Sequence, residues 1–242
     1  MANIAVIIGA QSAIGSSIIE RLAKDKTVDQ VFAISRGGSP QRTENEAKVK
    51  SISCNYSEES IIGICEGLKP IEGSITQVII CNGILHTDKI SPEKRLEDIS
   101  FDTVSEVIHI NTIIPLLWLS NIVPLLKSRQ TCRVAILSAR VGSISDNRSG
   151  GWYAYRASKA ALNMLIKTAA IELRRRAPNV KLIAFHPGTT DTKLSKPFQR
   201  SVPEGKLFTP DFVAGALLKL LKTLDPYNGE EFFDWNGQPV PW

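Results

Sequence analysis

A tyrosine and a lysine lie four positions apart in the segment from Tyr155 to Lys159. In a helix this spacing places both side chains on one face, one turn apart. A free phenol has a pKa of about 10, which is too high for efficient proton donation and return at neutral pH. A neighbouring ammonium stabilises the phenolate and lowers that pKa. The pair therefore predicts a general acid–base unit, although the same spacing is also common among solvent-exposed neighbours.

A glycine-containing loop near the start of the chain predicts a phosphate site. The run Ile4–Ile8 is short, apolar and rich in β-branched residues, so it predicts a buried strand, and the loop from Gly9 to Gly15 follows it directly. The free N–H groups of the helix after the loop, with the positive end of the helix dipole behind them, form a place for a pyrophosphate. The alternative is a tight turn without a ligand.

The end of the second predicted strand indicates which dinucleotide this loop binds. A carboxylate near that point usually binds the ribose 2′-hydroxyl of NAD, but the sequence has Ser35 followed by Arg36. A guanidinium makes bidentate, charge-assisted hydrogen bonds to a 2′-phosphate. NADP(H) is therefore favoured over NAD(H), and the alternative is an ordinary surface arginine.

Short apolar runs alternate with helical patterns along the whole chain. The predicted strands are 4–8, 31–34, 49–54, 77–81, 132–137, 180–185 and 231–235. The predicted helices are 16–24, 60–68, 101–127, 151–176 and 210–224. Pro115 and Pro124 are expected to bend or subdivide the third helix. Such alternation implies an α/β fold, a doubly wound parallel sheet with helices on both faces, and no linker divides residues 1–242, which predicts a single domain.

Composition narrows the function classes further. The chain has 242 residues, of which 43% are hydrophobic and 22% charged, so disordered and fibrous classes are excluded. The net charge of +5 comes from dispersed basic residues, apart from Arg174 to Arg176, which suit a helix end better than a nucleic-acid patch. No membrane span or secretory signal is expected. The four cysteines form no CxxC pair, so we expect buried thiols in the cytoplasm and no metal site.

Several motifs make the chain resemble the short-chain dehydrogenase/reductase superfamily over essentially its full length, and within it the C-factor/sniffer-type carbonyl reductases. These motifs are the Gly9–Gly15 loop, Cys81–Leu85, Asn111, Gly142–Ile144, Gly150–Lys159, His186–Thr192 and the ending Pro239–Trp242. The resemblance implies a single-domain Rossmann-type fold, NADP(H) as cofactor and a small carbonyl or alcohol substrate. It also implies a homodimer or homotetramer that pairs through helices centred on residues 115 and 165, with no nucleic-acid or membrane partner.

The resemblance assigns roles to individual residues. Tyr155 would give its proton to the substrate carbonyl oxygen, Lys159 would bind the nicotinamide ribose and lower the tyrosine pKa, and Asn111 would hold a water from a distorted helical turn. The cofactor would contact Gly9, Gln11, Ser12, Ala13, Ile14, Gly15, Ser35, Arg36, Asn55, Tyr56, Asn82, Gly83, Tyr155, Lys159, Pro187, Gly188, Thr190 and Thr192. The polar segment 192–207 would be a lid over this site or an ordinary surface loop.

Two departures from the family pattern bear on activity. The middle glycine of the loop is Ala13, whose methyl group crowds the phosphate. The family's catalytic serine, three residues before Gly142, is Ala139 here, so its hydroxyl is missing unless Ser138 or Ser143 replaces it. Loss of one donor to a developing oxyanion lowers the rate by roughly 10²–10³-fold. The alternative hypothesis is therefore a nucleotide-binding, C-factor-like signalling or regulatory protein with little turnover.

Overall fold

A parallel β-sheet forms the centre of the molecule. The computed structural model describes residues 2–37, 46–224 and 231–242. The strands are β1 (Ile4–Ile8), β2 (Gln30–Ser35), β3 (Val49–Ser53), β4 (Ile75–Ile80), β5 (Cys132–Leu137), β6 (Val180–His186), the short β7 (Thr189–Thr190) and β8 (Leu207–Phe208), and β9 (Phe232–Asp234). The main sheet has the order β3-β2-β1-β4-β5-β6-β9, and every neighbouring pair is parallel. The strand order reverses beside β1, where sheets of this kind bind nucleotides at their carboxyl edge.

Helices cover both faces of the sheet, as the alternating sequence pattern predicts. They are α1 (Ala13–Lys24), α2 (Glu58–Gly67), α3 (Phe101–Ile108), α4 (Ile114–Ile122), α5 (Tyr153–Arg176) and α6 (Pro210–Thr223). Helices α2, α4 and α5 pack on the face that contains Val6 and Ile8, whereas α1 and α6 pack on the face that contains Ala5 and Ile7. Because both faces of a central strand are buried, β1 is apolar at every position. The predicted doubly wound α/β fold is confirmed.

Two helices begin earlier than predicted, because a serine side chain caps the first turn of each. The Ser12 hydroxyl accepts a hydrogen bond from the Gly15 amide at 3.0 Å, so α1 begins three residues earlier than the apolar pattern indicates. The Ser57 hydroxyl accepts from the Ser60 amide at 3.3 Å and starts α2 at Glu58. A side-chain cap satisfies backbone donors that the helix itself leaves free.

The predicted long helix over residues 101–127 is subdivided. After α3, the residues His109–Ile113 form a π-helical turn, and after α4 the residues Val123–Leu126 form a 3-10 helix. Pro115 and Pro124 each lie in the first turn of their element, where the missing N–H group needs no intrahelical acceptor. The expected subdivision is confirmed, and the π-helical turn contains Asn111, where the family resemblance implies a distorted helical turn.

The same segment, Phe101–Leu126, is long and apolar enough to cross a membrane, because an 18-residue window within it has a mean hydropathy of 1.5. The absence of a membrane span expected from the sequence stays a prediction. The segment packs in the core of the fold, where Trp118, Ile122 and Leu126 are completely buried. Its apolar composition is explained by contact with α2, α5 and the sheet.

The four cysteines are free and buried. Of the three cysteines predicted to lie in strands, only Cys132 does so. Cys54 and Cys81 each lie one residue after the end of their strand, β3 and β4, so the prediction was wrong for these two. Burial raises the pKa of the Cys81 and Cys132 thiols to about 12. These thiols are small core side chains rather than reactive groups.

Candidate active site

The loop between β1 and α1 forms a cradle at the carboxyl edge of the sheet. Gly9 has φ of +78°, and a Cβ there would lie 3.0 Å from the Cys81 carbonyl carbon. A Cβ on Gly15 would lie 2.6 Å from the Gly9 oxygen. A side chain at either glycine would therefore collide with backbone atoms. The first turn of α1 contains no acidic residue, so the positive end of its dipole stays uncompensated. This cradle fits the pyrophosphate of a dinucleotide.

The residues predicted around the adenosine lie next to this cradle. Arg36 is exposed just after β2, whereas Ser35 is 2% exposed and belongs to the floor of the cleft. Asn55 and Tyr56 follow β3 and also line the cleft. The Asn82 Oδ1 atom is buried and has no hydrogen-bond partner in the described part of the protein. A ribose hydroxyl would satisfy this acceptor, so the residues present fit a nucleotide.

Tyr155 and Lys159 face the same cleft from the first turns of α5. The Lys159 Nζ donates to the Leu137 carbonyl at 3.0 Å and lies 6.0 Å from the centroid of the Tyr155 ring. A Cβ on Gly83 would lie 3.5 Å from this Nζ, and one on Gly142 would lie 2.7 Å from the Lys159 carbonyl carbon. The two glycines therefore let α5 approach the ends of β4 and β5 closely. The predicted placement of the pair on one face is confirmed.

The electrostatics of the pair differ from the prediction. Burial raises the pKa of Tyr155 to about 12, and burial lowers the pKa of Lys159 to about 8. The expected lowering of the tyrosine pKa by the ammonium is therefore wrong, because desolvation of the buried phenolate dominates. Lys159 remains mostly protonated at neutral pH, and Tyr155 remains a phenol.

Asn111 lies in the π-helical turn and is completely buried. Its Oδ1 accepts from the Ile84 amide at 2.7 Å, and its Nδ2 donates to the Ile84 carbonyl at 2.9 Å and to the Ser158 hydroxyl at 3.0 Å. The predicted distortion at Asn111 is confirmed. The water that Asn111 is expected to hold stays a prediction.

Neither serine proposed as a replacement for the missing hydroxyl presents it to the cleft. Ser138 borders the cleft, but its Oγ donates to Asn163 Oδ1 on α5 at 2.5 Å. Ser143 is 1% exposed, and its Oγ accepts from the Asp146 amide at 3.3 Å. The prediction of Ser138 as a catalytic stand-in is therefore corrected: it continues the alternation of β5 and points to the helix. Ala139 lines the cleft at the family's serine position.

The segment after β6 forms the opposite side of the cleft. Pro187, Gly188, Thr190 and Thr192 all line it, as predicted for the residues around the nicotinamide. Pairing of β7 with β8 closes the intervening residues into a loop that contains the 3-10 helix Lys196–Ser201. The predicted lid segment therefore borders the cleft. The cleft volume of about 1760 Å³ exceeds the roughly 300–1,000 Å³ of a single small-ligand pocket, so a dinucleotide and a substrate fit together.

An aromatic wall begins at the phenol and consists of the rings of Tyr155, Trp152, Phe198 and His86. The Trp152 ring lies 6.2 Å from the Tyr155 ring and 4.9 Å from the Phe198 ring, measured between centroids. The Phe198 ring lies 5.7 Å from the His86 ring, and the His86 Nε2 is 3.2 Å from the Lys193 carbonyl. Trp152 thus borders the pocket. Phe198 gave no such signal in the sequence, because it lies 46 residues from Trp152 along the chain.

The histidines do not form a metal site. No group of three or more metal-ligating side chains occurs within residues 2–37, 46–224 and 231–242. His186 Nδ1 is buried without a partner there, and burial lowers the pKa of this imidazole to about 4.

A buried carboxylate that was not predicted from the sequence lies at the first turn of α5, which contains Tyr155. Glu93 is 3% exposed, and its Oε2 accepts from the Ala154 amide at 3.1 Å. No local pattern predicts this contact, since the partner amide follows 61 residues later. The available signal was the first turn of α5, which has neither a capping side chain nor an acidic residue.

Comparison with known proteins agrees with this geometry. Residues 3–202 match the family model of the short-chain dehydrogenases. The chain belongs to the short-chain dehydrogenase family. It is 35% identical to the C-signal protein of Myxococcus xanthus over 147 residues, which cover 61% of this chain and 83% of that protein.

Two further comparisons extend over the full chain of this family member. It is 29% identical to a 1-hydroxy-2-glutathionyl-2-methyl-3-butene dehydrogenase of Rhodococcus sp. strain AD45, with 98% of each protein covered. It shares the fold of the NADPH-bound carbonyl reductase from chicken fatty liver, with a TM-score of 0.82, 24% identity and coverage of 100% and 99% of the two chains. The protein is thus an oxidoreductase of the short-chain dehydrogenase family, with a resemblance to C-signal.

Proposed function

We propose that this short-chain dehydrogenase is an NADPH-dependent carbonyl reductase that uses Tyr155 as its proton donor. The observation that carries the proposal is the phenol of Tyr155 in the wall of the nucleotide cleft, with the Lys159 ammonium on the same face. When bound, the nicotinamide supplies a hydride to the substrate carbonyl carbon. Tyr155 supplies the proton to the oxygen. A phenol with a raised pKa stays protonated at neutral pH, which is the form that reduction needs.

The other residues of the site hold the reactants. One N–H of the Lys159 ammonium is bound to Leu137, and its remaining N–H groups are available to ribose hydroxyls beside Gly83. Asn111 fixes the backbone at Ile84 by two hydrogen bonds and so holds the floor under the reacting groups. Positioning of this kind, rather than a strong acid, is the protein's contribution to the rate.

The preference for NADPH over NADH is supported by the charge at the end of β2. Arg36 is exposed beside the cradle, and a guanidinium binds a 2′-phosphate by paired hydrogen bonds. Fluorescence titration should show tighter binding of NADPH than NADH to the wild type, and Arg36→Asp should reverse the order. Tighter binding of NADH to the wild type would remove NADP(H) from the proposal.

The test of the reaction is NADPH oxidation with a panel of carbonyl compounds. Tyr155→Phe should lower kcat by about 10²-fold or more, because the proton donor is lost. Tyr153→Phe is the matched control, because this substitution also removes a tyrosine hydroxyl from the first turn of α5, but at an exposed position. Equal rates for wild type and Tyr155→Phe would take the phenol out of the mechanism.

A second candidate function is a nucleotide-binding signalling or regulatory protein with low turnover. It is favoured by Ala139, which places a methyl group where the family has a hydroxyl donor, and by the resemblance to C-signal. Ala139→Ser decides between the two. A gain of about 10²-fold in kcat would indicate that the natural chain is not built for turnover, whereas an unchanged rate would favour the reductase.

We also propose that the protein is a homodimer or homotetramer. Met164 and Ile171 on α5 and Ile113 beside α4 are exposed apolar residues on the two helices expected at the interface. Sedimentation should show an oligomer for the wild type and a smaller species for Met164→Glu, and a monomeric wild type would contradict it. A cytoplasmic location without nucleic-acid or membrane binding stays a prediction, which salt-sensitive DNA binding or sedimentation with vesicles would contradict.

A further inference from the structure

Helix α5, which carries the proposed acid, does not cap its own first turn. It begins at Tyr153, and the preceding residue, Trp152, has a left-handed backbone (φ 53°, ψ 46°) and no capping side-chain hydrogen bond. Its first turn has no acidic residue, whereas its last turn contains Arg174 to Arg176. The amino-terminal amides and the positive end of this dipole therefore depend on a partner from elsewhere in the fold.

Glu93 supplies that partner from the segment between β4 and α3. Its backbone carbonyl accepts from the Trp152 amide at 2.5 Å, and its Oε2 accepts from the Ala154 amide at 3.1 Å. The carboxylate is 3% exposed, and its Oε1 is buried with no partner in the described residues. Burying a carboxylate oxygen without a partner is unfavourable for folding, so the residue needs an explanation beyond stability.

The two amides that Glu93 binds belong to Trp152 and Ala154, in the stretch that leads into Tyr155. Ala154 directly precedes Tyr155, and the Trp152 ring lies 6.2 Å from the Tyr155 ring within the aromatic wall. Glu93 does not itself line the cleft, so it acts through these neighbours. A shift of the first turn of α5 would move the phenol and the indole together and leave the phosphate cradle of α1 in place.

We propose that Glu93 is a positioning residue that caps α5 from another segment and thereby fixes Tyr155 and Trp152 against the substrate. This inference rests on the proposed function. It predicts that loss of the carboxylate affects the chemical step and substrate binding while NADPH binding is retained, because a displacement of about 1 Å at a reacting group lowers a rate by up to about 10²-fold.

The test compares Glu93→Ala and Glu93→Gln with the matched control Glu97→Gln, which changes an exposed glutamate on the same segment. Glu93→Ala should lower kcat by about 10- to 100-fold with the NADPH dissociation constant within about twofold of wild type. Glu93→Gln keeps an oxygen acceptor for Ala154 and should recover part of the rate. If Glu93→Ala does not fold, the comparison of Glu93→Gln with Glu97→Gln still tests the proposal.

Hydrogen exchange separates this proposal from the proposed function. Amides 153–157 should exchange faster in Glu93→Ala, and to a smaller extent in Glu93→Gln, than in Glu97→Gln, whether or not the wild type turns over a carbonyl compound. If the wild type is inactive but the Glu93 variants still show this faster exchange, the proposed reductase activity is refuted and the capping role of Glu93 is supported. Unchanged exchange and kcat in both Glu93 variants, or equal losses of kcat and NADPH affinity, would overturn the positioning role.

Discussion

Replacing Lys159 with methionine should stabilise the unliganded protein. The lysine is 3% exposed, and burial lowers its pKa from 10.5 to about 8. One pKa unit corresponds to about 1.4 kcal/mol, so at neutral pH the ammonium is about 3 kcal/mol less favourable in the folded state than in the unfolded state. Methionine has a similar length and no charge, so this penalty is absent in the variant.

One opposing contribution reduces the gain. The variant loses the hydrogen bond from Nζ to the Leu137 carbonyl, which is worth about 1–2 kcal/mol. The net expectation for Lys159→Met is therefore an increase of about 1–2 kcal/mol in the free energy of unfolding at pH 7. The same change removes the ammonium that we propose binds the ribose, so NADPH affinity and turnover should both fall.

The pH dependence gives the sharper test. Between pH 8 and 10.5 the unfolded chain binds more protons at Lys159 than the folded chain does, so the wild type gains stability as the pH rises through this interval. The variant lacks this gain, and its advantage should shrink from about pH 7 to about pH 10. Urea unfolding of wild type, Lys159→Met and the exposed control Lys89→Met measures the difference. A variant less stable than wild type at neutral pH, or an advantage independent of pH, would refute the reasoning.

Three further outcomes follow from the same structure. Gly15→Ala should weaken NADPH binding and lower the unfolding free energy by about 1–3 kcal/mol, because its Cβ would lie 2.6 Å from a carbonyl oxygen, whereas Gly63→Ala has open space and should stabilise α2. Calorimetry with nucleotide titration measures both, and equal effects would contradict the cradle. Asn111→Leu should cost about 3 kcal/mol in urea unfolding through its buried hydrogen bonds, and a neutral result would count against the fixed π turn. Native Cys81 and Cys132 should resist thiol reagents at neutral pH until the protein unfolds, and rapid labelling would contradict their burial.

Local signals in the sequence were sufficient for the sheet, the loop between β1 and α1, and the placement of Tyr155 and Lys159 on one face of a helix. The apolar run Ile4–Ile8 and the spacing of Gly9 and Gly15 depend on neighbours in the chain, so periodicity predicts them. The four-residue spacing of Tyr155 and Lys159 likewise places them on one face of any helix. These features appear in the structure at their predicted places.

Features that depend on distant segments could not be predicted in this way. The pKa values of Tyr155 and Lys159 follow from burial, which the sequence does not specify, and desolvation reversed the expected direction for the tyrosine. The direction of the Ser138 hydroxyl depends on Asn163 in the next helix. The cap by Glu93 joins residues 61 positions apart, beyond any helical or strand period.

The contact between Gly142 and Lys159 restricts how this catalyst can diversify. The 3-10 turn Arg140–Gly142 touches the backbone of α5, and any side chain at Gly142 would push against the Lys159 carbonyl carbon. At this contact the turn packs directly against the backbone and Cβ of Lys159, so a substitution there would displace Lys159. New substrate ranges are therefore more accessible by altering Phe198 and the loop that carries it, where side chains meet side chains and can be exchanged one at a time.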